Sequence, residues 1–253
     1  MAQQGTAEPA RSARLGRAIG TGAGAVSGAV LLLPSGHETS TRRPSPLATA
    51  SVRGLGRRLA HDGRDAGLAT HVVHYRYRGW NGAEAQLARD ATWAADEVVR
   101  RYGDVPVCLV GVDMGGRAAL RAGGHPAVNS VLALAPWLPE EDVAAPPEPV
   151  KQLAGRRVLI VHGTNDLRTD PELSFRLAER AKKTNREVCR FEVHSDGHGL
   201  RQHHAEVHAL AVDFVMGVLF GRDFARPLED ALAAPPPLGL RMPLASGFGQ
   251  SLG

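Results

Sequence analysis

Residues 107–120 limit what this chain can fold into more than any other stretch. Val107-Cys108-Leu109-Val110-Gly111-Val112 is a short apolar run of β-forming residues, long enough for one buried strand. Met114-Gly115-Gly116-Arg117-Ala118-Ala119-Leu120 follows with small residues and good helix formers. Between them lies Gly111-x-Asp113-x-Gly115. The two glycines let the chain double back from strand to helix where any larger side chain would collide with backbone. A turn of this kind lifts one side chain, here Asp113, above the edge of a sheet.

The same strand–helix alternation runs through the rest of the chain. Residues 28–33, 68–75, 130–135, 157–162 and 187–193 are apolar runs of strand length. Ser45-Pro46 has the chemistry of a helix start, with Ser as the cap and Pro in the first turn. The helix it opens is expected to turn Leu47, Ser51, Leu55 and Leu59 towards the sheet. Residues 83–101 repeat Leu87, Ala91, Ala94 and Val98 at helical spacing, with Arg89, Asp90, Asp96, Arg100 and Arg101 expected outside. Asp170-Pro171 opens another helix, and residues 201–220 form a last one. This order predicts an α/β fold, a mostly parallel sheet with helices on both faces. Residues 1–24 are expected to be a flexible arm and residues 222–253 a Pro/Gly-rich tail with little to bury. The folded domain is then 25–221. A chain of 253 residues with 43% apolar content suits one large domain of this type.

Composition removes several function classes. The net charge is +4, only 5% of residues are aromatic, and no basic run is interleaved with aromatics, so nucleic acid is not an expected partner. No run approaches the ~18 apolar residues of a membrane span. Arg11, Arg14 and Arg17 precede residues 18–26, which are too poor in Leu and Ile for a secretory signal. Cys108 and Cys189 both fall in expected buried strands, which suggests reduced thiols and a cytoplasmic protein. His194 and His198 are four apart, as are His204 and His208, with His203 adjacent; without an intact His-Glu-x-x-His pattern, neither a metal nor a cofactor is expected. The oligomeric state is not legible.

Three loops, each following an expected strand, complete the pattern around Asp113. Pro34-Ser35-Gly36-His37 follows the first strand, His162-Gly163-Thr164-Asn165-Asp166 a later one, and Ser195-Asp196-Gly197-His198-Gly199 the last. With the Gly-x-Asp-x-Gly turn, these motifs resemble the α/β-hydrolase superfamily in the order nucleophile, acid, histidine, and in particular its compact, cap-less, dienelactone-hydrolase-like members. The resemblance spans roughly residues 25–220. It implies an α/β-hydrolase fold without a cap, with Asp113 at the nucleophile position, His198 as base and Asp166 as the acid that orients it. It also implies an oxyanion hole built from the backbone at Met114 and at Ser35 or Gly36. Trp80 and Trp137 lie in loops at the edge where such sheets bind ligands, and both are candidates for lining a small-molecule pocket.

The usual residue at the turn is Ser, and Asp changes the chemistry. A carboxylate needs no deprotonation to act as a nucleophile. It can attack an alkyl carbon and form an ester, which His198 would then help water to cleave. The haloalkane dehalogenase and epoxide hydrolase branches also carry Asp here. This chain differs from them in having Met114 after the Asp, Pro34-Ser35-Gly36-His37 at the oxyanion loop, and no room for a cap. Three readings follow. The first is an Asp-nucleophile hydrolase of a small molecule, the second a hydrolase-fold enzyme with different chemistry, and the third a non-catalytic small-molecule binding protein using the same pocket.

Overall fold

The computed structural model describes residues 11–20, 25–140 and 147–250. The strands are β1 (Arg14–Leu15), β2 (Gly28–Leu33), β3 (Leu68–His74), β4 (Val107–Val112), β5 (Val128–Leu134), β6 (Arg157–Gly163), β7 (Val188–Val193) and β8 (Met242–Pro243). They form one sheet in the order β1-β3-β2-β4-β5-β6-β7-β8. All neighbours are parallel except β1, which runs antiparallel to β3.

Helices α1 (Pro46–Asp62), α2 (Gln86–Tyr102), α3 (Met114–Ala122), α4 (Pro171–Lys182), α5 (His204–Phe220) and α6 (Arg226–Ala233) cover both faces. Successive β2 residues show why its sequence is continuously apolar. Ala29, Leu31 and Leu33 face the layer of α2 and α3, while Val30 and Leu32 face that of α1 and α5. A strand buried on both faces has no polar alternation to show.

The α/β-hydrolase architecture expected from the sequence is therefore present, with the strands and the capped starts of α1 and α4 close to their expected places. The Ser45 hydroxyl accepts from the Leu47 N–H at 3.2 Å, and Asp170 accepts from Glu172 at 2.9 Å.

Several finer expectations are corrected. On α1 the buried stripe is Val52, Leu55 and Leu59 with Thr49 and Gly56, whereas Leu47 is 82% exposed and Ser51 exposed. Leu47 follows the cap in the first turn and is turned to solvent, while Thr49 in the same turn is buried. Asp90 on α2 is fully buried; it accepts the Arg76 N–H at 2.7 Å and a Gln86 amide at 3.1 Å, ending the loop after β3.

The two ends of the chain also differ from expectation. Within the arm, β1 adds an edge strand, Ala13 is buried, and Ile19 bridges to Thr70. Residues 1–10 and 21–24 lie outside the described residues. After α5 the chain forms α6 and β8, which extends the sheet beside β7 and buries Leu228, Ala231, Leu240 and Leu244. Those apolar residues are spaced among Pro and Gly, which hides them from a composition-based reading. In the acidic, Pro-rich loop after β5, residues 141–146 lie outside the described residues, and the described flanks hold no inserted helical domain.

Candidate active site

Strand β4 sits mid-sheet, with β2 and β5 as neighbours, and ends at Asp113. The backbone there is strained: Asp113 has φ 56° and ψ −123°, a conformation that a residue with a side chain rarely adopts. Neighbouring backbone holds it. Its N–H donates to Leu134 at 3.0 Å, and its carbonyl accepts from Gly116 at 2.9 Å and Trp137 at 3.1 Å. Gly111 and Gly115 are required for this packing. A Cβ on Gly111 would enter the Gly115 backbone, and one on Gly115 would enter Leu33.

The three residues expected to converge do so at the C-terminal edge of the sheet. His198 lies between two carboxylates. Its Nδ1 is 2.8 Å from Asp166 Oδ2, and its Nε2 is 3.6 Å from Asp113 Oδ1. When Nδ1–H donates to Asp166, the Nε2 lone pair faces Asp113 and the cavity. Asp166 Oδ2 also meets His162 Nε2 at 3.1 Å and accepts the Thr169 hydroxyl at 2.6 Å, while Oδ1 accepts the Arg168 and Thr169 N–H groups at 2.8 and 3.0 Å. Burial alone would raise the Asp166 pKa; the donors from His162, Thr169 and Arg168 outweigh it and hold the carboxyl well below its ordinary range. His162 is buried, which lowers its pKa against the opposing hydrogen bond that its Nε2–H donates to Asp166.

Asp113 is in the opposite situation. Burial is the largest influence and raises its pKa; the Arg168 guanidinium, His198 and the Met114 N–H act against it. Arg168 Nη2 lies 3.3 Å from Oδ2, but the arginine side chain is 59% exposed, so this pair is weak. Asp113 Oδ1 is buried and has no hydrogen-bond partner.

These groups open onto a cavity of about 560 Å³ lined by Ser35, Asp113, Ala135, Arg168, residues 198–201, and the facing sides of α1 and α5. Ser35 of the expected oxyanion loop is on this wall. Gly36 is turned away, packed against the Arg78 carbonyl and Leu87.

Neither tryptophan lines the cavity, and both expectations are corrected. The Trp80 N–H donates to the His37 carbonyl at 2.8 Å, folding the loop down so that its ring packs in the core over α2 and α3. Trp137 is tied by its N–H to the Asp113 carbonyl, and its ring turns away from the cavity. The Arg117 guanidinium lies 3.9 Å from the Trp80 ring centre and 5.2 Å from that of Trp137. It also donates to the buried Glu148 at 2.9 Å.

Sequence reasoning missed several supports. His162 and Thr169 share the Asp166 oxygen with His198. Asp196 fixes the His198 loop by accepting the N–H groups of Gly197, Arg201 and His203 at 3.0, 3.1 and 3.0 Å. The two loops are joined where the Asn165 N–H donates to the Asp196 carbonyl at 2.9 Å. His162 opens the very motif that supplies Asp166, so its spacing was a usable signal. Among the described residues no group of three or more His, Cys, Asp or Glu side chains could hold a metal ion.

With this geometry in view, the likenesses to known proteins are specific. An esterase of Pyrococcus furiosus superposes with a TM-score of 0.61 over 77% of this chain and 84% of its own, at 15% identity. The chain has the α/β-hydrolase fold. A lid-less α/β serine hydrolase of Xanthomonas campestris matches at TM-score 0.54 and 13% identity, over 81% of this chain and 87% of that one. A butyrate-bound thermophilic esterase of Thermogutta terrifontis matches at 0.60 and 18%, over 83% and 91%. Residues 133–219 match the prolyl oligopeptidase family. That segment contains Asp166 and His198 but not Asp113. No curated protein matches the chain in sequence.

Proposed function

We propose that this α/β hydrolase cleaves a small molecule through a covalent ester on Asp113, with His198 as base and Asp166 as its orienting acid. The observation that carries this reading is the position of His198, with Nδ1 on Asp166 and Nε2 facing an Asp113 oxygen that no donor occupies. The Asp113 carboxylate attacks a saturated carbon, and the bond to the leaving group breaks with its electron pair. Water then gives a proton to His198 Nε2, and the hydroxide attacks the Asp113 carbonyl carbon. The tetrahedral intermediate carries its negative charge on the former carbonyl oxygen. In this reading the Met114 N–H and the backbone at Ser35 stabilise it. Collapse expels the alkoxide, which takes the proton from His198 and leaves as the alcohol; Asp113 keeps water's oxygen and returns to carboxylate by losing the hydroxyl proton to solvent. A carboxylate attacking saturated carbon favours epoxides or alkyl halides over esters as the substrate class.

The test is a single turnover in heavy-oxygen water. Oxygen from water should appear on Asp113, and the product should carry an unlabelled oxygen from the enzyme. His198→Gln should accumulate an alkyl-enzyme adduct seen by mass, and Asp113→Asn should lose all turnover. Label entering the product directly in the first turnover, or an active Asp113→Asn, overturns the reading.

A further inference from the structure

A second cavity, of about 640 Å³, lies at the same edge of the sheet on the other side of α1. Thr49 and Arg53 of α1 face it, whereas Ala50, Ser51 and Gly54 face the catalytic cavity, and the two cavities share no lining residue. Among the described residues its wall carries Arg11, Arg14, Arg43, Arg53 and Arg76, with His74 among them and no acidic side chain. Such a concentration of one sign in a concave site raises the local potential and draws counter-ions.

Among the described residues, Arg14, Arg43 and Arg53 form no ion pair. Arg76 Nη2 lies 3.7 Å from Asp90 Oδ1, and its buried Nε has no hydrogen-bond partner. Arg11 is held in place by its bond to the Thr41 carbonyl at 3.1 Å and by the Tyr77 ring. The positive end of α1 opens beside the cavity at Pro44 and Pro46, and the first turn of that helix carries no acidic residue. The field reaches His74, whose pKa is lowered by burial first and then by Arg14 and Arg53.

We infer that this cavity binds a small polyanion, a molecule bearing a phosphate or diphosphate group. Guanidinium groups from β1, α1 and the end of β3 converge on it, and planar, multiply donating arginines suit phosphate oxygens. Its concave shape and size fit a small molecule. A duplex or a bilayer surface would need a broad, convex or flat basic face. The site stands apart from the Asp113 reading and does not depend on it.

Calorimetric titration of the full chain with inorganic pyrophosphate at low salt tests this. One-to-one saturable binding is expected, weakened about 10-fold or more by Arg14→Gln and, independently, by Arg53→Gln, the loss expected for one charge-assisted contact. The two variants lie on different elements, and both side chains are exposed, so folding is preserved and is checked by the melting temperature. Arg186→Gln, at the opposite end of the sheet, and Arg168→Gln, in the catalytic cavity, should leave binding unchanged. The proposal is overturned by absence of saturation at millimolar pyrophosphate. It is equally overturned if Arg186→Gln weakens binding as much, which would mean diffuse charge, or if Arg168→Gln does, which would place the anion beside Asp113. Binding to vesicles of anionic phospholipid without binding to pyrophosphate also overturns it, in favour of a membrane surface.

Discussion

Asp113 and Asp166 are two carboxylates bracketing one imidazole, and their surroundings drive them apart. Asp166 is surrounded by donors and held ionised, whereas Asp113 is desolvated and more reluctant to ionise. This has a consequence for stability. A carboxyl whose pKa is raised by folding binds its proton more tightly in the native state than in the unfolded chain. Its ionisation therefore opposes folding at every pH above the folded value, and the cost vanishes below the unfolded value near about 3.9. Asp113→Asn should accordingly melt higher than the wild type at pH 7, by about 2–4 °C for each kcal/mol regained in a chain of this size. The gain should shrink as pH falls through the carboxylate range. A variant that melts lower at pH 7, or whose difference does not change with pH, would mean that the ionised Asp113 is a net stabilising group. In the proposed reading, the residue at the apex trades stability for its role as nucleophile.

At the scale of elements, the most consequential addition to the sheet is the segment after α5. Its β8 pairs with β7, and the Leu244 N–H donates to Glu192 at 2.9 Å. The buried Lys182 ammonium donates to Val188, Leu232 and Ala231 carbonyls at 2.8, 3.0 and 3.4 Å. Truncation after residue 221 would expose the β7 edge, strip two of these acceptors from a buried cation and uncover a core face. Burial of Leu228, Leu240 and Leu244 contributes about 1.5–3 kcal/mol each, so melting should fall by more than 10 °C or the protein should aggregate. A truncated chain melting within about 2 °C of the full one would show that the segment contributes nothing. This element also marks where sequence reading stops. The parallel strands were legible because burial on both faces leaves runs such as residues 28–33 and 107–112 with no polar interruption. The meeting of Asp113, Asp166 and His198 was legible because each follows a strand within a few residues, and the C-terminal strand ends share one edge. The α1 face, the buried Asp90 and the packed tail were not. Each depends on what the rest of the molecule places beside it: Leu47 is left facing solvent, the loop after β3 brings Arg76 to Asp90, and β7 offers an edge to residues 242–244. The tryptophans follow the same rule, since main-chain bonds to His37 and Asp113 decide where their rings point.

Over the whole molecule, α1 and α5 form the two facing walls of the cavity beside Asp113, with Ser51 and Gly54 on one side and His204, Val207 and His208 on the other. His208 is kept neutral there, its pKa lowered to about 4 by burial and then by His204 and Arg58. The wall is thinnest at Gly54, where an added Cβ would have only His208 Cε1 within reach, at 3.8 Å. That openness in mid-helix has an energetic cost, because glycine in a helix interior is about 0.5–1 kcal/mol less favourable than alanine. Gly54→Ala should therefore raise the melting temperature by about 2 °C and leave turnover of small substrates intact. Gly54→Leu should keep the fold but fill the cavity: KM for bulky substrates should rise about 10-fold or more, the scale of one misplaced apolar side chain, with kcat for the smallest substrates retained. Both variants leave Asp113, His198 and Asp166 untouched, so a loss of kcat on every substrate would show that α1 positions the catalytic groups and is more than a wall. Unchanged KM across the whole size range in Gly54→Leu would place the bound substrate elsewhere at the sheet edge, and the α1–α5 cleft would not be the substrate site.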